Sequence, residues 1–164
     1  MRSVMDELIA IAEQIAQRLV ARKQTIAVAE SSAGGLIAAA LLAVPGASAY
    51  FLGGAVVYTR DARRVLMDIP DEAMKGIRSA SEHYAELLAR QIRTRFATDW
   101  GLSETGAAGP TGNRYGDAAG HACCAVAGPA TAVVTLESGR SDRFANMQLF
   151  ARSALELLLT KLDQ

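Results

Sequence analysis

Two adjacent serines stand at a point in the chain where α/β proteins place ligands and nucleophiles. Ser31 and Ser32 follow an apolar run at residues 25–30 and precede Gly34 and Gly35, which lead into a helical pattern. The N-terminus of such a helix offers unpaired N–H groups and a partial positive charge that suit phosphates, carboxylates and oxyanions. The two hydroxyls are therefore candidates either for a nucleophile or for the cap of the following helix.

A nucleophilic serine needs a group that accepts its proton, and the chain offers few such groups. His121 follows a glycine-rich segment, where it can face a cleft or make a structural hydrogen bond, whereas His83 begins a helix and is typical of a solvated side chain. Tyr58 follows another predicted strand and can relay a proton if a nearby cation favours its charged form. Arg63 can supply that cation, but a guanidinium keeps its own proton and cannot be the base.

Two acidic residues and a basic cluster lie near these positions. Glu30 can orient a hydroxyl or hold a ribose, and Glu104 lies at the end of another predicted strand. We expect no metal site, because no histidine or third acid stands at close spacing to the two carboxylates. The cluster Arg60, Arg63 and Arg64 is typical of a solvated helix face, and its functional alternative is phosphate binding.

Hydrophobic periodicity predicts the elements that must position these groups. Helices are predicted at 4–22, 33–44, 60–67, 81–96 and from about residue 143 onwards, and strands at 25–29, 49–58, 100–105, 122–127 and 130–136. Segment 106–120 contains five of the chain's 14 glycines, which predicts a loop with unusual backbone dihedrals.

The order of these elements predicts a three-layer α/β/α sandwich with a mixed sheet, because helices alternate with the early strands and the last two strands pair. We expect one domain over residues 1–164, since this length suits a single core. Ligands of such sheets bind at the carboxyl ends of the strands. Residues 30–32, Tyr58 and Thr105 each come at such an end, so we expect them to share one cleft with segment 106–120.

Composition and charge limit the classes of partner that we expect for this chain. Hydrophobic residues make up 51% of the chain, the 17 basic and 17 acidic residues cancel, and no basic stripe stands out, so nucleic acid is not an expected partner. No apolar run approaches the ~20 residues of a membrane span, and the N-terminus lacks the apolar core of a signal peptide. We therefore expect a cytoplasmic protein with no membrane partner.

Cys123 and Cys124 are adjacent on a predicted strand, which is typical of core thiols in a reducing compartment. The helices are compatible with a homo-oligomer, although no interface pattern is readable.

Four sequence blocks resemble the CinA C-terminal-domain family and occur in the family's order. They are AESSAGG at 29–35, VPGASAYFLGG at 44–54, VY at 57–58 and TGAAGP at 105–110. The resemblance covers nearly the whole chain and implies an α/β/α sandwich. Stand-alone members of this family include nicotinamide-nucleotide amidases, which convert nicotinamide mononucleotide to nicotinic acid mononucleotide and ammonia in the pyridine nucleotide cycle. The resemblance thus implies an amidohydrolase without a cofactor, acting on the carboxamide of nicotinamide mononucleotide or a related metabolite.

The resemblance also implies roles for individual residues. Ser31 matches the family's serine and is expected to attack the amide carbon, and Tyr58 matches the tyrosine associated with proton transfer. Backbone N–H groups of residues 31–35 are expected to form the oxyanion hole. The candidate catalytic residues are Ser31, Tyr58, Arg63 and His121. The predicted substrate-binding residues are Glu30, Ser32, Gly34, Gly35, Thr105, Gly106, Ala108, Gly109, Arg114 and Arg143.

The chain departs from the family's pattern at three places, one of which is the loop after Pro110, where TGNRYGD at 111–117 and then Gly120-His121 replace the family's run with glycines, a lysine and a proline. Arg63 stands where family amidases usually have a lysine, and a guanidinium cannot become the base that a lysine can. Met147 and Gln148 replace a basic pair in the last helix, so that Arg114 is a candidate to compensate for the lost cations and His121 for the lost base. Two functions stay open: an amidohydrolase with a serine nucleophile, or a catalytically silent module that binds a nucleotide or another small metabolite.

Overall fold

Five strands form one sheet and five α-helices cover its two faces in the computed structural model, which describes residues 1–164. The strands are β1 (Ile26–Glu30), β2 (Phe51–Val56), β3 (Trp100–Ala107), β4 (His121–Ala127) and β5 (Ala132–Glu137). The helices are α1 (Val4–Arg22), α2 (Leu36–Leu42), α3 (Arg60–Met67), α4 (Glu82–Phe96) and α5 (Arg143–Leu162). Every element predicted from periodicity is present, with shifts of a few residues at the ends.

The strand order in the sheet is β2-β1-β3-β4-β5. Strand β1 runs parallel to β2 and β3, whereas β4 runs antiparallel to β3 and β5. The predicted three-layer α/β/α sandwich with a mixed sheet is therefore confirmed. The chain leaves β1 towards α2 on one face and leaves β2 towards α3 on the other face. Neighbouring parallel strands whose connections diverge in this way open a crevice at their carboxyl ends.

The main core lies between the sheet and the layer formed by α1, α2 and α5. It includes Leu8 and Ile15 of α1, Ile37 of α2 and Phe150 of α5, all fully buried. A smaller core on the other face packs Met67, Tyr84 and Leu88 against Ala27 and Ala29 of β1. Because β1 is buried on both faces, its sequence is a continuous apolar run rather than an alternating one.

Capping residues set where the helices begin. Ser3 and Asp6 form a reciprocal capping box at the start of α1, and the hydroxyl of Ser81 accepts a hydrogen bond from the N–H of Tyr84 at the start of α4. Helix α2 begins at Leu36, three residues later than predicted. The reason is that the preceding glycines at 34 and 35 have φ angles of 68° and 104°, in the left-handed region that interrupts a right-handed helix.

The two cysteines are free thiols in the core, as their pattern predicts. Cys123 and Cys124 are both buried and contribute to clusters on opposite faces of β4. Burial raises the pKa of both thiols, which keeps them in the neutral form. Among the helices, none combines the length and the apolar composition needed to cross a bilayer.

Candidate functional site

A cavity of about 520 Å³ opens at the carboxyl ends of β1, β2 and β3, on the side of the sheet covered by α3 and α4. Ser31 follows β1, Tyr58 follows β2 by two residues, and Thr105 and Gly106 belong to the end of β3. The structure therefore brings together the groups that the strand order predicts as neighbours. The volume lies in the range of pockets that bind small molecules.

Ser31 lies at the wall of this cavity with its hydroxyl free of any hydrogen bond within the protein. The residue is 8% exposed and lines the cavity. Its own N–H donates to Glu104 Oε1 at 3.0 Å, and the N–H of Ala33 donates to the same oxygen at 2.8 Å. The hydroxyl of Ser32 donates to Glu104 Oε2, which turns Ser32 away from the cavity. Ser31 is thus the accessible serine of the pair.

The carboxylate of Glu30 caps α2 from inside the fold. It accepts hydrogen bonds from the N–H groups of Gly35 at 2.8 Å, Ile37 at 3.1 Å and Ala38 at 2.9 Å. Burial raises the pKa of Glu30, and the three N–H donors act against that rise. Glu30 therefore stabilises the helix start instead of lining the cavity.

The structure differs from the expected oxyanion hole, because two buried carboxyl groups accept hydrogen bonds from three of the N–H groups that were assigned to it. The N–H groups of Ser31 and Ala33 are donors to Glu104, and that of Gly35 is a donor to Glu30. Because each of these N–H groups is already hydrogen-bonded to a carboxyl oxygen, the three groups are not available to an oxyanion. The helix start that the sequence marks as an anion site is thus satisfied by the chain's own acids.

The pKa of Glu104, beneath Ser31, is strongly raised. Its side chain is fully buried, and burial raises its pKa from 4.5 to about 7, against the opposing effect of its donors Ser32, Ala33 and Ser31. The nearby negative charge of Glu30 adds to the rise. Each carboxylate is occupied by the protein's own donors: Glu104 by the corner that follows β1, and Glu30 by Gly35 and the first turn of α2. No group of three or more His, Cys, Asp or Glu side chains is arranged to hold a metal ion.

A cationic wall built from α3 faces the cavity. The side chain of Arg63 is only 10% exposed, lies over the ring of Tyr84 at 5.7 Å from the centroid, and keeps a 3.7 Å ion pair with Asp71. Its buried Nε has no hydrogen-bond partner. Arg60 binds Asp71 through two hydrogen bonds of 3.0 and 2.5 Å. Arg64, the third member of the basic cluster, points outward and pairs with Asp61.

Tyr58 receives its cation from a distant helix. The residue is 57% exposed, and its hydroxyl accepts a 2.9 Å hydrogen bond from Nη2 of Arg143 at the start of α5. Nη1 of the same guanidinium donates to the carbonyl of Gly109. Arg143 thus joins the end of β2 to the glycine-rich segment, whereas Arg63 is engaged with other groups.

His121 lies outside the cavity lining and both of its ring nitrogens are engaged. Nε2 is 2.7 Å from the carbonyl oxygen of Ala80 and Nδ1 is 2.5 Å from the carboxylate of Glu137. Since a carbonyl and a carboxylate both accept, the two contacts favour the doubly protonated ring. Burial acts against that charge, but these acceptors and Asp117 raise the pKa of His121 overall. The ring therefore supports the turn at Ala80, which lines the cavity, and is not placed to take a proton from Ser31.

The segment between β3 and β4 folds over the cavity and is fixed by an internal network. The side-chain oxygen of Asn113 accepts from the N–H groups of Tyr115 and Asp117 at 3.0 and 3.1 Å. Asp117 in turn binds Arg78 through hydrogen bonds of 2.6 and 3.1 Å. The ring of Tyr115 lies 5.1 Å from the guanidinium of Arg114, and both residues face the cavity. The loop thus presents a cation and an aromatic ring in defined positions.

The start of the same segment is held from α5 and does not face the cavity. Asn146 is fully buried, and its amide donates to the carbonyls of Ala108 at 2.8 Å and Arg140 at 2.9 Å. Together with the bond from Arg143 to Gly109, this fixes the first turn of the loop. Ala108 and Gly109 therefore act as attachment points.

The predicted site residues divide into two groups. Those that line the cavity are Ser31, Tyr58, Arg63, Thr105, Gly106 and Arg114. Those that lie outside the lining are Glu30, Ser32, Gly34, Gly35, Ala108, Gly109, His121 and Arg143, and most of them hold the lining in place. Sequence reasoning missed Asp71 and Tyr84, which carry no motif of their own, and it placed segment 106–120 at the cleft without singling out Asn113 and Tyr115.

Fold and cavity together define the class of protein: a three-layer α/β domain with a ligand-sized cavity at the point where neighbouring strand connections diverge. The family model described as the CinA C-terminal domain matches residues 8–162 of this chain. The chain therefore belongs to the CinA C-terminal-domain family.

Curated relatives and solved structures agree with this assignment. A CinA-like protein of Gloeobacter violaceus is 38% identical over 150 residues, which cover 90% of this chain and 35% of the relative. A CinA-like protein of a Synechococcus species is 37% identical over 141 residues, covering 85% of this chain and 34% of the relative. The chain thus spans about a third of the length of these curated relatives.

Two solved structures share the fold over almost their whole length. The competence damage-inducible protein A of Klebsiella pneumoniae has a TM-score of 0.89 at 26% identity, with 96% of this chain and 98% of that chain covered. The competence/damage inducible protein CihA of Agrobacterium tumefaciens has a TM-score of 0.87 at 28% identity, with 96% of each chain covered.

Proposed function

We propose that this chain is a serine-dependent amidohydrolase that hydrolyses the carboxamide of nicotinamide mononucleotide or a related phosphorylated metabolite. The observation that carries the proposal is Ser31 itself, which lines a cavity of about 520 Å³ and whose hydroxyl has no hydrogen-bond partner within the protein. The resemblance to nicotinamide-nucleotide amidases supplies the reaction, and Ser31 occupies the position of the family's serine.

The proposed reaction forms and breaks one covalent bond to Ser31. The hydroxyl oxygen attacks the carboxamide carbon, its proton passes to an acceptor in the cavity, and the tetrahedral intermediate collapses as the C–N bond breaks. The nitrogen leaves as ammonia after gaining a proton. Water then attacks the ester, which releases the carboxylic acid and restores the hydroxyl.

The charge of the lining favours an anionic substrate. Three arginines, Arg60, Arg63 and Arg114, face the cavity with Asp71 as the opposing carboxylate. The side chain of Arg63 is nine-tenths buried and keeps hydrogen-bonding capacity that no protein group uses. Guanidinium groups bind phosphate strongly in such settings. We therefore assign Arg63 to binding the substrate's phosphate and not to proton transfer.

Tyr58 is the proposed proton relay for Ser31: its phenol oxygen takes the proton of the serine while its own proton passes to the leaving nitrogen. Both residues line the cavity, and the guanidinium of Arg143 donates to the phenol oxygen at 2.9 Å, which fixes its position. The competing candidates are less suited, because His121 is held between Ala80 and Glu137 and lies outside the lining.

A second candidate function is a catalytically silent module that binds the same class of metabolite. It is favoured by the engagement of the candidate bases: Glu30, Glu104 and His121 are all hydrogen-bonded to other groups, and Arg63 cannot act as a base. In that case the cavity and its arginines serve binding alone.

Two measurements separate the functions. Ammonia release from nicotinamide mononucleotide is followed for the wild type, for Ser31→Ala and for Ser48→Ala, whose serine is exposed and lies outside the cavity. The amidohydrolase predicts release by the wild type and Ser48→Ala and none by Ser31→Ala. The binding module predicts no release by any variant together with a rise in melting temperature on adding the nucleotide. If the wild type shows no ammonia release and no thermal shift, both functions are refuted for this substrate.

A further inference from the structure

Glu104 holds the backbone at Ser31 from inside the fold. It lies on β3, is fully buried, and stands opposite Cys124 of β4 on the face of the sheet covered by α5. From there its carboxylate reaches across to the corner that follows β1. The corner itself carries Ser31 towards the opposite face, where the cavity is.

The corner that follows β1 lies beyond the hydrogen-bonded pairing of the sheet. The parallel pairing of β1 with β3 ends at Ala29 and Ser103, and the pairing with β2 ends one residue later at Glu30. Ser31 is therefore the first residue beyond the ladder. The N–H groups of Ser31 and Ala33 find their acceptor in Oε1 of Glu104, at 3.0 and 2.8 Å.

We propose that Glu104 is a positioning residue that sets the backbone of Ser31 so that its hydroxyl points into the cavity. The inference rests on the serine-amidohydrolase function proposed above. One oxygen, Oε1, holds both backbone N–H groups, and the other, Oε2, draws the hydroxyl of Ser32 to the opposite side. The placement of the acceptor matters more than its charge, because a neutral acceptor at the same point makes the same two backbone bonds.

A matched pair of variants separates placement from charge. Glu104→Gln keeps an acceptor oxygen at the same distance along the side chain, while its NH₂ group can donate to Ser32. Glu104→Asp keeps the carboxylate but withdraws it by about 1.5 Å, the length of one carbon–carbon bond. Ile15→Val, a mild change in the core under α1, is the control for loss of stability alone.

The experiment measures kcat and KM for nicotinamide mononucleotide, and the rate at which a fluorophosphonate labels Ser31, below each variant's melting temperature. We expect Glu104→Asp to lower kcat and the labelling rate at least tenfold with KM changed less than threefold. We expect Glu104→Gln to stay within about threefold of the wild type, an energy difference of about 0.7 kcal/mol. Ile15→Val is expected to melt earlier with kcat unchanged.

The outcomes distinguish this inference from the proposed function. A folded Glu104→Asp variant with wild-type kcat and labelling would overturn the positioning role and leave the amidohydrolase standing. A loss in Glu104→Gln as large as that in Glu104→Asp would show that charge matters as much as placement, and would overturn the proposal that placement is what counts. A wild type that neither releases ammonia nor labels at Ser31 would overturn the proposed function, and the positioning role with it. If Glu104→Asp does not fold, Glu104→Met, which has no acceptor, is expected to show the same loss.

Discussion

The buried carboxyl of Glu104 should make the stability of this protein depend on pH, and Glu104→Gln should remove the part of that dependence that Glu104 contributes. The pKa of Glu104 is raised from 4.5 to about 7, chiefly because burial disfavours its charged form. The folded protein therefore holds this proton more tightly than the unfolded chain does. Stability from this group is fully present below pH 4.5 and is lost as the pH rises through about 7.

The size of the loss follows from the difference between the two pKa values. Each pH unit of that difference corresponds to about 1.4 kcal/mol, so the rise from 4.5 to about 7 amounts to about 3 kcal/mol. The amide of Glu104→Gln has the shape of the protonated acid and does not titrate. Glu30 also has a raised pKa, chiefly because of its own burial, which Glu104→Gln leaves unchanged, so most of its contribution cancels when the two proteins are compared.

Urea unfolding at several pH values from 4.5 to 8.5 tests this prediction, with the free energy of unfolding taken from linear extrapolation. We expect the stability of Glu104→Gln relative to the wild type to increase by about 3 kcal/mol across this range, with most of the change below pH 7. A difference that stays constant to within about 0.5 kcal/mol would refute the reasoning, because it would show that Glu104 titrates alike in the folded and unfolded chains.

Three further substitutions test other parts of the site and fold. Arg63→Met should weaken binding of nicotinic acid mononucleotide at least tenfold in calorimetry, since a buried charge-assisted bond is lost, whereas the exposed Arg64→Met should change it less than about twofold. Glu30→Ala should lower the free energy of unfolding by about 3 kcal/mol in urea, because three N–H groups at the start of α2 lose their acceptor. Gly101→Ala should lower it by about 1–3 kcal/mol, since the added methyl would overlap the carbonyl oxygen of Ala89 on α4. Unchanged affinity for Arg63→Met, or unchanged unfolding curves for the other two, would contradict these assignments.

Sequence periodicity was sufficient for the architecture because each layer carries its own pattern. The apolar run of β1 is continuous because the strand is buried on both faces. The apolar residues of α1 and α5 recur at helical spacing because each helix buries one face. The start of α2 was less predictable. Two glycines with positive φ precede it, and a glycine in a sequence does not reveal which region of backbone space it occupies.

The candidate site was predictable only as far as strand ends could be placed. Ser31, Tyr58 and Thr105 follow from the rule that ligands gather at the carboxyl ends of parallel strands. That rule does not predict the cation beside Tyr58. Arg143 lies 85 residues further along the chain and reaches the phenol only through the packing of α5. No local pattern records such a contact.

The roles of the buried acids Glu30 and Glu104 could not be predicted from the sequence either, although one general rule pointed to Glu104. A glutamate inside a buried strand must find donors, since an unpaired charge in the interior is costly. That rule marks Glu104 as a residue with essential partners, but it does not say that the partners are the N–H groups of Ser31 and Ala33.

The nucleophilic role of Ser31 is tested most directly by trapping its acyl intermediate. The wild type is mixed with nicotinamide mononucleotide, quenched in acid within the first turnover, digested and examined by mass spectrometry. The account predicts that the peptide containing Ser31 gains the mass of the nicotinate mononucleotide acyl group, and that Ser31→Ala shows neither this adduct nor ammonia release. Ammonia release at the wild-type rate by Ser31→Ala would contradict it.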